Sequence, residues 1–325
     1  MKAIVQERYG PPEALELRDI ERPVPGAGEV LVRVRAASLN AYDWHFMRGD
    51  PMLGRPTMGF TRPRVRVRGR DFAGEVEAVG SGVTALKPGE EVFGQADGTL
   101  AEFVCARADE VGPKPANLGF EQAAAIPLAG NTALMCLRDT AGTQQGQRVL
   151  VNGASGGVGT FAVQIAKADG AEVTAVCSAR NAGQARALGA DHVVDYTRED
   201  FTRSGRRYDI VLDLVGNHSL GALRRALTPT GTLVLSGGGV YEGGSVVGPM
   251  GLFLKRRLLS PLVRGQRLLE CAERIDTAHL ATLRELAEAG TVVPVVERTY
   301  PLSEAVDALR YLETEHARAK IVVTV

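Results

Sequence analysis

Cysteine is scarce in this chain and never clustered. The 325 residues hold four, Cys105, Cys136, Cys177 and Cys271. No two lie within the roughly two to four residues that separate paired zinc ligands, and their scatter suggests no disulfide framework. The expected state is small buried thiols in a reducing compartment, with the cytoplasm as default. Histidine is equally thin, at His45, His192, His218, His279 and His316, too dispersed to complete a metal site. Charge of one sign is also lacking: Lys plus Arg and Asp plus Glu are 38 each. No global field to gather nucleic acid is expected, so nucleic acid is not an expected partner. Long apolar runs are missing too. The longest candidate, around 245–263, is broken by Lys255, Arg256 and Arg257, so no membrane partner is expected. The opening MKAIVQERYG has no apolar core of the kind a signal peptide carries.

What is present is an ordinary soluble composition, 45% hydrophobic and 23% charged, in three textures. Residues 1–127 are rich in Gly, Pro and Val. EVLVRVRAA (29–37) alternates as a half-buried strand, and residues 74–94 read as short β segments between Gly and Pro-Gly turns. A small, strongly bent β-barrel is expected. Residues 128–268 alternate strand and helix, with strands expected at 148–152, 172–177, 192–196, 209–215 and 232–237, the last the final clear one. Helices are expected at 160–168, 182–189 and 220–227. Strands apolar on both faces predict a parallel sheet covered on both sides, a doubly wound α/β fold. Residues 269–325 return to mixed texture. HLATLRELAEAG is expected as a helix, TVVPVVERTYPL as strand-like, SEAVDALRYLETEH as a helix that Ser303 could cap, and KIVVTV as a last strand that could rejoin the first region's sheet.

Between strand 148–152 and the following helix stands Gly153-Ala154-Ser155-Gly156-Gly157-Val158-Gly159. Glycines at the first, fourth and seventh places permit a sharp turn and close approach of backbone to a phosphate, and the helix N-terminus offers free N–H groups. No Gly-Lys-Ser/Thr follows, which excludes a P-loop. A tight turn serving only helix–sheet packing is the alternative. The next strand ends Cys177-Ser178-Ala179-Arg180. An NAD site would place an acid there for the ribose 2′-hydroxyl. A hydroxyl and a guanidinium suit a 2′-phosphate, so NADP(H) is the expected cofactor.

These stretches, with MKAIV, GEVLVRVRAASLN, GRDFAGEVEAVGSGV, LGADHVVDY, YPLSEAVDAL and HARAKIVVTV, resemble the medium-chain dehydrogenase/reductases over nearly the whole length, and within them the zinc-free quinone oxidoreductase branch. The resemblance implies a GroES-like β-barrel catalytic domain from residues 1–127 and 269–325 around a Rossmann NADP-binding domain at 128–268. It implies reduction of quinones or α,β-unsaturated carbonyls, small-molecule carbonyl partners and a homodimer. Zinc-dependent relatives carry Cys where this chain has Asn40, and His-Glu where it has Arg70-Asp71, so a metal-free enzyme is expected. Carried over residue by residue, Asn40, Asp43 and Thr132 would lie beside nicotinamide and substrate. Gly157 and Val158 would meet the pyrophosphate, and Ser178, Arg180 and Tyr196 the 2′-phosphate and adenine. Ser236-Gly237-Gly238 and His316-Ala317-Arg318 would make later cofactor contacts. Asn40 and Asp43 could equally serve as turn or helix caps. The tyrosine acid of enoyl-thioester reductases has no counterpart in Arg48-Gly49-Asp50-Pro51-Met52, so solvent is expected to protonate the enolate. NADP-linked alcohol/ketone chemistry and a non-catalytic cofactor-binding protein with an RNA- or protein-interaction role stay open as alternatives.

Arginines at 62, 64, 66, 68 and 70 would share one side of an extended strand. A solvated edge that discourages aggregation is the expected reading, an anion patch the alternative, with Arg70 the exception because it sits inside the Gly-x-Asp segment expected to face the cleft. MGLFLKRRLLSPLV (250–263) is expected to pack on the core with a charged outer face.

Overall fold

A computed structural model describes residues 1–237, 248, 250–271, 274–315 and 317–325. Gly238 and His316, expected at the cofactor, lie outside the described residues. The chain forms two compact units, and each is described by itself. The first takes Met1–Asn131 and Arg274–Val325; the described part of the second runs over 132–237, 248 and 250–271.

The first unit holds a two-stranded antiparallel sheet of its first two strands and a larger, mostly antiparallel sheet. The unit's strands are β1 (Lys2–Gln6), β2 (Leu15–Asp19), β3 (Glu29–Leu39), β4 (Asp71–Val79), β5 (Glu91–Gln95), β6 (Phe103–Arg107) and β7 (Val111–Pro113). The C-terminal segment adds two more of this unit's strands. β3 runs beside β4 along one edge and shares its other edge, pairing with β6 through Glu29–Arg33 and, through Ala36–Leu39, with the C-terminal strand Lys320–Thr324. Register shifts in the β3–β4 pairing let this long strand bend. Inside lie Val30, Val32, Val34, Phe72, Val92, Ile321 and Val323, closed on one side by Leu302 and by Ala305 and Leu309 of the last helix. Leu31 is buried as well, while Arg33 and Arg35 stay exposed.

The second unit is a six-stranded parallel sheet of β8 (Arg148–Asn152), β9 (Glu172–Cys177), β10 (His192–Asp195), β11 (Tyr208–Asp213), β12 (Leu227–Leu235) and β13 (Arg267–Glu270). The spatial order β10-β9-β8-β11-β12-β13 is the doubly wound order. Its reversal point lies between β8 and β11, where ligands of such sheets bind outside the strands' carboxyl ends. In the first unit, the remaining strands are β14 (Val296–Pro301) and β15 (Lys320–Thr324); β15 lies between β14 and β3.

Several expectations change. β13 is a further strand beyond 232–237, missed because Arg267-Leu268-Leu269-Glu270 is too short to show a period. Only Val296–Pro301 of the strand-like TVVPVVERTYPL is a strand. Ser303 lies inside a short 3₁₀ turn, Leu302–Glu304, and Glu304 takes the cap position of the following helix without a side-chain hydrogen bond. The helix Met250–Leu259 buries no residue fully; Leu252 and Phe253 touch the core, whereas Leu254 and Leu258 are exposed. Among the described residues no helix is long and apolar enough to cross a membrane.

Candidate active site

Asn40 ends β3 and Asp71 begins β4. Antiparallel register sets Ser38 opposite Asp71, and β15 runs along the other side of Ala36–Leu39. Three strand ends therefore deliver polar side chains to one buried point. Asp71 is fully buried and Lys320 is 1% exposed. The Asp71 carboxylate accepts from Ser38 Oγ at 3.1 Å, Asn40 Nδ2 at 3.0 Å and the Leu128 N–H at 3.0 Å. Its ion pair with Lys320 Nζ spans 3.5 Å, and Lys320 also donates to Asn40 Oδ1. The Asn40 amide is thus committed at both ends. Burial raises the Asp71 carboxyl above its ordinary range and lowers the Lys320 ammonium.

The helix Ala41–Arg48 starts at Asn40, whose N–H donates to Asp43 Oδ2 at 2.7 Å, while the Asp43 N–H bonds the Asn40 carbonyl at 2.9 Å. Asp43 thus holds the helix start as well as facing the polar cluster. It is buried, and this desolvation, with nearby Asp71, pushes its carboxyl up to about 7.

The arginine run does not form the expected strand. Only Val67 makes a ladder bridge, to Val5. Arg62 and Arg64 are exposed, and exposed Arg66 pairs with Glu7. Arg68 is buried, and Arg70 pairs with Asp97 at 3.1 Å. The solvated-edge reading therefore fails at Arg68: Arg68 N–H bonds the Ile4 carbonyl and Leu100 N–H bonds the Arg68 carbonyl, which turns this side chain inward.

In the second unit, Gly153 has a φ of +89°, and the N–H groups of Gly153 and Ala154 both bond the Val176 carbonyl. A Cβ on Gly159 would stand 2.1 Å from the Gly153 carbonyl oxygen. That position admits only glycine, because the helix start crosses the turn directly. A Cβ on Gly156 would meet only the Gly153 oxygen, at 3.5 Å, so its outer side is open. Thr160 is the donor to the Gly156 carbonyl. The N–H groups of Gly157, Val158 and Gly159 stand ahead of that bond, in the first turn of the helix Gly157–Ala168. They form a donor cradle that fits a pyrophosphate. Ser155 lies half-buried in the same turn. Beneath it, Asn152 Nδ2 donates to Asp213 Oδ1 at 2.8 Å and to Asn217 Oδ1 at 3.0 Å, tying β8 to β11 at the reversal point.

The carboxyl ends of the neighbouring strands carry other expected residues. Ser178 precedes a 3₁₀ turn, Ala179–Asn181, and its Oγ accepts from Asn181 Nδ2 at 3.3 Å. Arg180 is exposed, Tyr196 is 51% exposed, and the Tyr196 N–H bonds the Cys177 carbonyl. Ser236 donates its N–H to the Asp213 carbonyl, and exposed Gly237 has a φ of +73°. The sheet thus gathers Gly153–Gly159, Ser178, Arg180, Tyr196, Ser236 and Gly237 along one edge. Asn40 and Asp43 meet in the first unit, and buried Thr132 belongs to the second. Ala317 and Arg318 belong to the first, where the Arg318 N–H donates to Glu297.

Sequence reasoning missed Lys320, Ser38 and Arg68. The one signal for Lys320 is a charge opening an otherwise apolar strand, KIVVT. Among the described residues no group of three or more His, Cys, Asp or Glu side chains could hold a metal.

The family model for zinc-binding dehydrogenases matches residues 188–323, and that for the alcohol dehydrogenase GroES-like domain matches residues 26–116. The mouse (Mus musculus) mitochondrial NAD(P)H oxidoreductase RTN4IP1 is 35% identical, over 100% of this chain and 89% of its own. The chloroplastic NADPH-dependent alkenal/one oxidoreductase of Arabidopsis thaliana is 33% identical over 99% of this chain and 79% of its own. The quinone oxidoreductase structure from Coxiella burnetii superposes with a TM-score of 0.86 at 32% identity, covering 100% of this chain and 99% of the other.

Proposed function

This chain belongs to the medium-chain dehydrogenase/reductase superfamily, in its quinone oxidoreductase-like branch, and from that premise we propose an NADPH-dependent, metal-independent reductase of quinones or α,β-unsaturated carbonyls. Oxidoreductase chemistry with a nicotinamide cofactor is common to the relatives. The observation that carries the NADPH choice is the end of β9, where Ser178 and Arg180 stand at the place an acid would need for an unphosphorylated ribose. The glycine turn would hold the pyrophosphate through backbone donors, Arg180 and Ser178 the 2′-phosphate, and Tyr196 the adenine. Bound nicotinamide supplies a hydride to an activated C=C.

Metal independence draws support from the donor set itself. Where zinc-dependent relatives place Cys and His-Glu, this chain places Asn40 and Arg70-Asp71, and Asn40 and Asp71 are already committed to each other and to Lys320. Asn40, Asp43 and Thr132 would line the nicotinamide and substrate region, with the final proton drawn from solvent. Two of the named relatives are named for quinones and for alkenals and alkenones, which favours conjugated carbonyls over simple alcohols. The reading places a homodimer in the cytoplasm. Two relatives carry organelle designations in their names, and fractionation of the source cells decides the location.

Titration with NADPH and with NADH, followed by nicotinamide fluorescence, tests the cofactor assignment. Arg180→Ala should weaken NADPH by roughly 10–100-fold, as expected for loss of a charge-assisted hydrogen bond of about 1.5–3 kcal/mol, and leave NADH unchanged. Equal NADH affinity in the unaltered protein would refute it. Turnover of quinones and enones should survive chelator; its loss would refute metal independence.

A further inference from the structure

Arg68 is 5% exposed, and its Nε is buried without a hydrogen-bond partner. Its neighbours in the run are neutralised: Arg66 by Glu7, Arg70 by Asp97 and Glu110. Arg68 has no carboxylate within ion-pair distance among the described residues. A buried guanidinium nitrogen without a hydrogen bond costs free energy, and Asp43 and Asp97 act on this charge only from beyond ion-pair distance, so a fold that turns it inward points to a further partner. The backbone leaves little freedom here. Gly69 has a φ of +98°, and a Cβ on it would stand 2.4 Å from Thr99 Oγ1.

The guanidinium lines a narrow pocket of about 10 Å³, open at its mouth, with Tyr42, Asp43, Phe46, Val67 and Asp97. The rings of Tyr42 and Phe46 stack at 3.9 Å between centroids, 25° from parallel, and form an aromatic wall. The ionisable groups around Arg68 are Asp43, Asp97, Tyr42 and Tyr9. Asp97 is held by Arg70, and Asp43 already receives the Asn40 N–H and is shifted toward its neutral form. The uncommitted charge in the pocket is therefore positive. Its size admits a single water-sized atom, such as one ligand oxygen, with the rest of the ligand outside the mouth.

We propose that this pocket is an oxyanion seat: the carbonyl oxygen of a conjugated enone or quinone docks against the Arg68 guanidinium, beside the Tyr42–Phe46 wall. The proposal rests on the reductase reading given above. As hydride brings its electron pair to the β-carbon, the C=C pair shifts to join the α-carbon to the carbonyl carbon. The carbonyl π pair moves onto oxygen. Arg68 donates hydrogen bonds to that oxygen as its charge grows. Solvent then supplies one proton, to the α-carbon of an enone or to the oxygen of a quinone; in the quinone, loss of the surplus ring C–H proton to solvent and protonation of the second oxygen complete the hydroquinone. Arg68 would thus contribute the charge stabilisation that a metal ion contributes elsewhere.

The test uses 4-nitrophenol, which cannot accept hydride at a conjugated carbonyl and whose phenolate is coloured. Full-length protein without nicotinamide should bind the phenolate and lower the probe's apparent pKa. R68M, folded by circular dichroism, should bind it at least 10-fold more weakly, and R68K should retain part of the affinity. Equal phenolate binding by folded R68M, or none by the unaltered protein, would overturn the seat whatever the turnover. If R68M does not fold, R68K and R68Q carry the comparison. Normal enone turnover with kcat unchanged in R68M would overturn the seat and leave the reductase reading intact. Phenolate binding lost in R68M, with no enone or quinone turnover in the unaltered protein, would keep the seat and remove the reductase reading.

Discussion

In the second unit the proposed anion site is made of backbone, whereas in the first a buried carboxylate is met by side chains. Gly153–Gly159 presents N–H groups with almost no side chain in the way, and the whole device fits in seven consecutive residues. The first unit's polar cluster uses Ser38, Asn40, Asp71 and Lys320, drawn from three strands and tied by hydrogen bonds across 249 and 280 residues of chain. The backbone device is insensitive to charge but intolerant of volume. The side-chain device tolerates volume better but depends on a charge balance kept inside a low-dielectric interior.

The sharpest way to break this contrast is Lys320→Met. It leaves the Asp71 carboxylate buried with its hydrogen bonds but without its cation, and should cost about 3–5 kcal/mol in urea unfolding. Lys320→Met with Asp71→Asn should recover most of that loss, because neither charge is then stranded. No recovery in the double variant would mean that packing rather than charge holds the cluster.

Gly159→Ala tests the other side. With 2.1 Å to the Gly153 oxygen, the added methyl must displace the helix start, at a cost of about 3 kcal/mol. NADPH binding should fall with it, read by nicotinamide fluorescence. Gly156→Ala, whose Cβ has room, should lower stability by less than about 1 kcal/mol.

Asp43 couples the cluster to pH. Its folded carboxyl titrates near 7 rather than the ordinary 3.8, so between these values the folded state binds more protons than the unfolded one. Stability from this group is therefore full at acid pH and falls as pH rises through that window, by a few kcal/mol in order of magnitude. Asp43→Asn should flatten that slope in urea melts taken from pH 4 to pH 7.5. An unchanged slope would show that Asp43 is ionised throughout.

A small effect also belongs to an ordinary cap outside both devices. Ser219 Oγ accepts the Ala222 N–H at 3.2 Å, and Ser219→Ala should cost about 1 kcal/mol without altering cofactor affinity.

The same contrast explains what could be read in the sequence. The glycine turn, β8, β9 and the doubly wound order were legible because each is local: an apolar strand, a glycine cluster and a helix follow one another within a few residues. β8 and β9 fall at the bounds expected from pattern alone. The helix after the turn begins at Gly157 rather than 160, since glycine carries no periodic signal even where it is helical. Asn40 and Asp43 could be singled out by resemblance, but their partners could not. Nothing near Lys320 says that KIVVT lies beside β3, and burial converts a terminal-looking charge into a counter-ion. Arg68 misled for the same reason. Alternation placed it with four solvated arginines, whereas contacts to Ile4 and Leu100 turned it inward.

The place of β15 between β14 and β3 sets an order of events on the ribosome. Domains close as units while the chain emerges. β8 to β13 are contiguous in the chain and can assemble as soon as they are made. The edge of β3 at Ala36–Leu39 must wait until its partner arrives from the far end. The first-made strand region is therefore the last to be completed. Until then Asp71 stays hydrated, and the strand that seals the sheet brings Lys320 with it. Burial of the carboxylate and arrival of its neutralising charge become a single event in the birth of the protein.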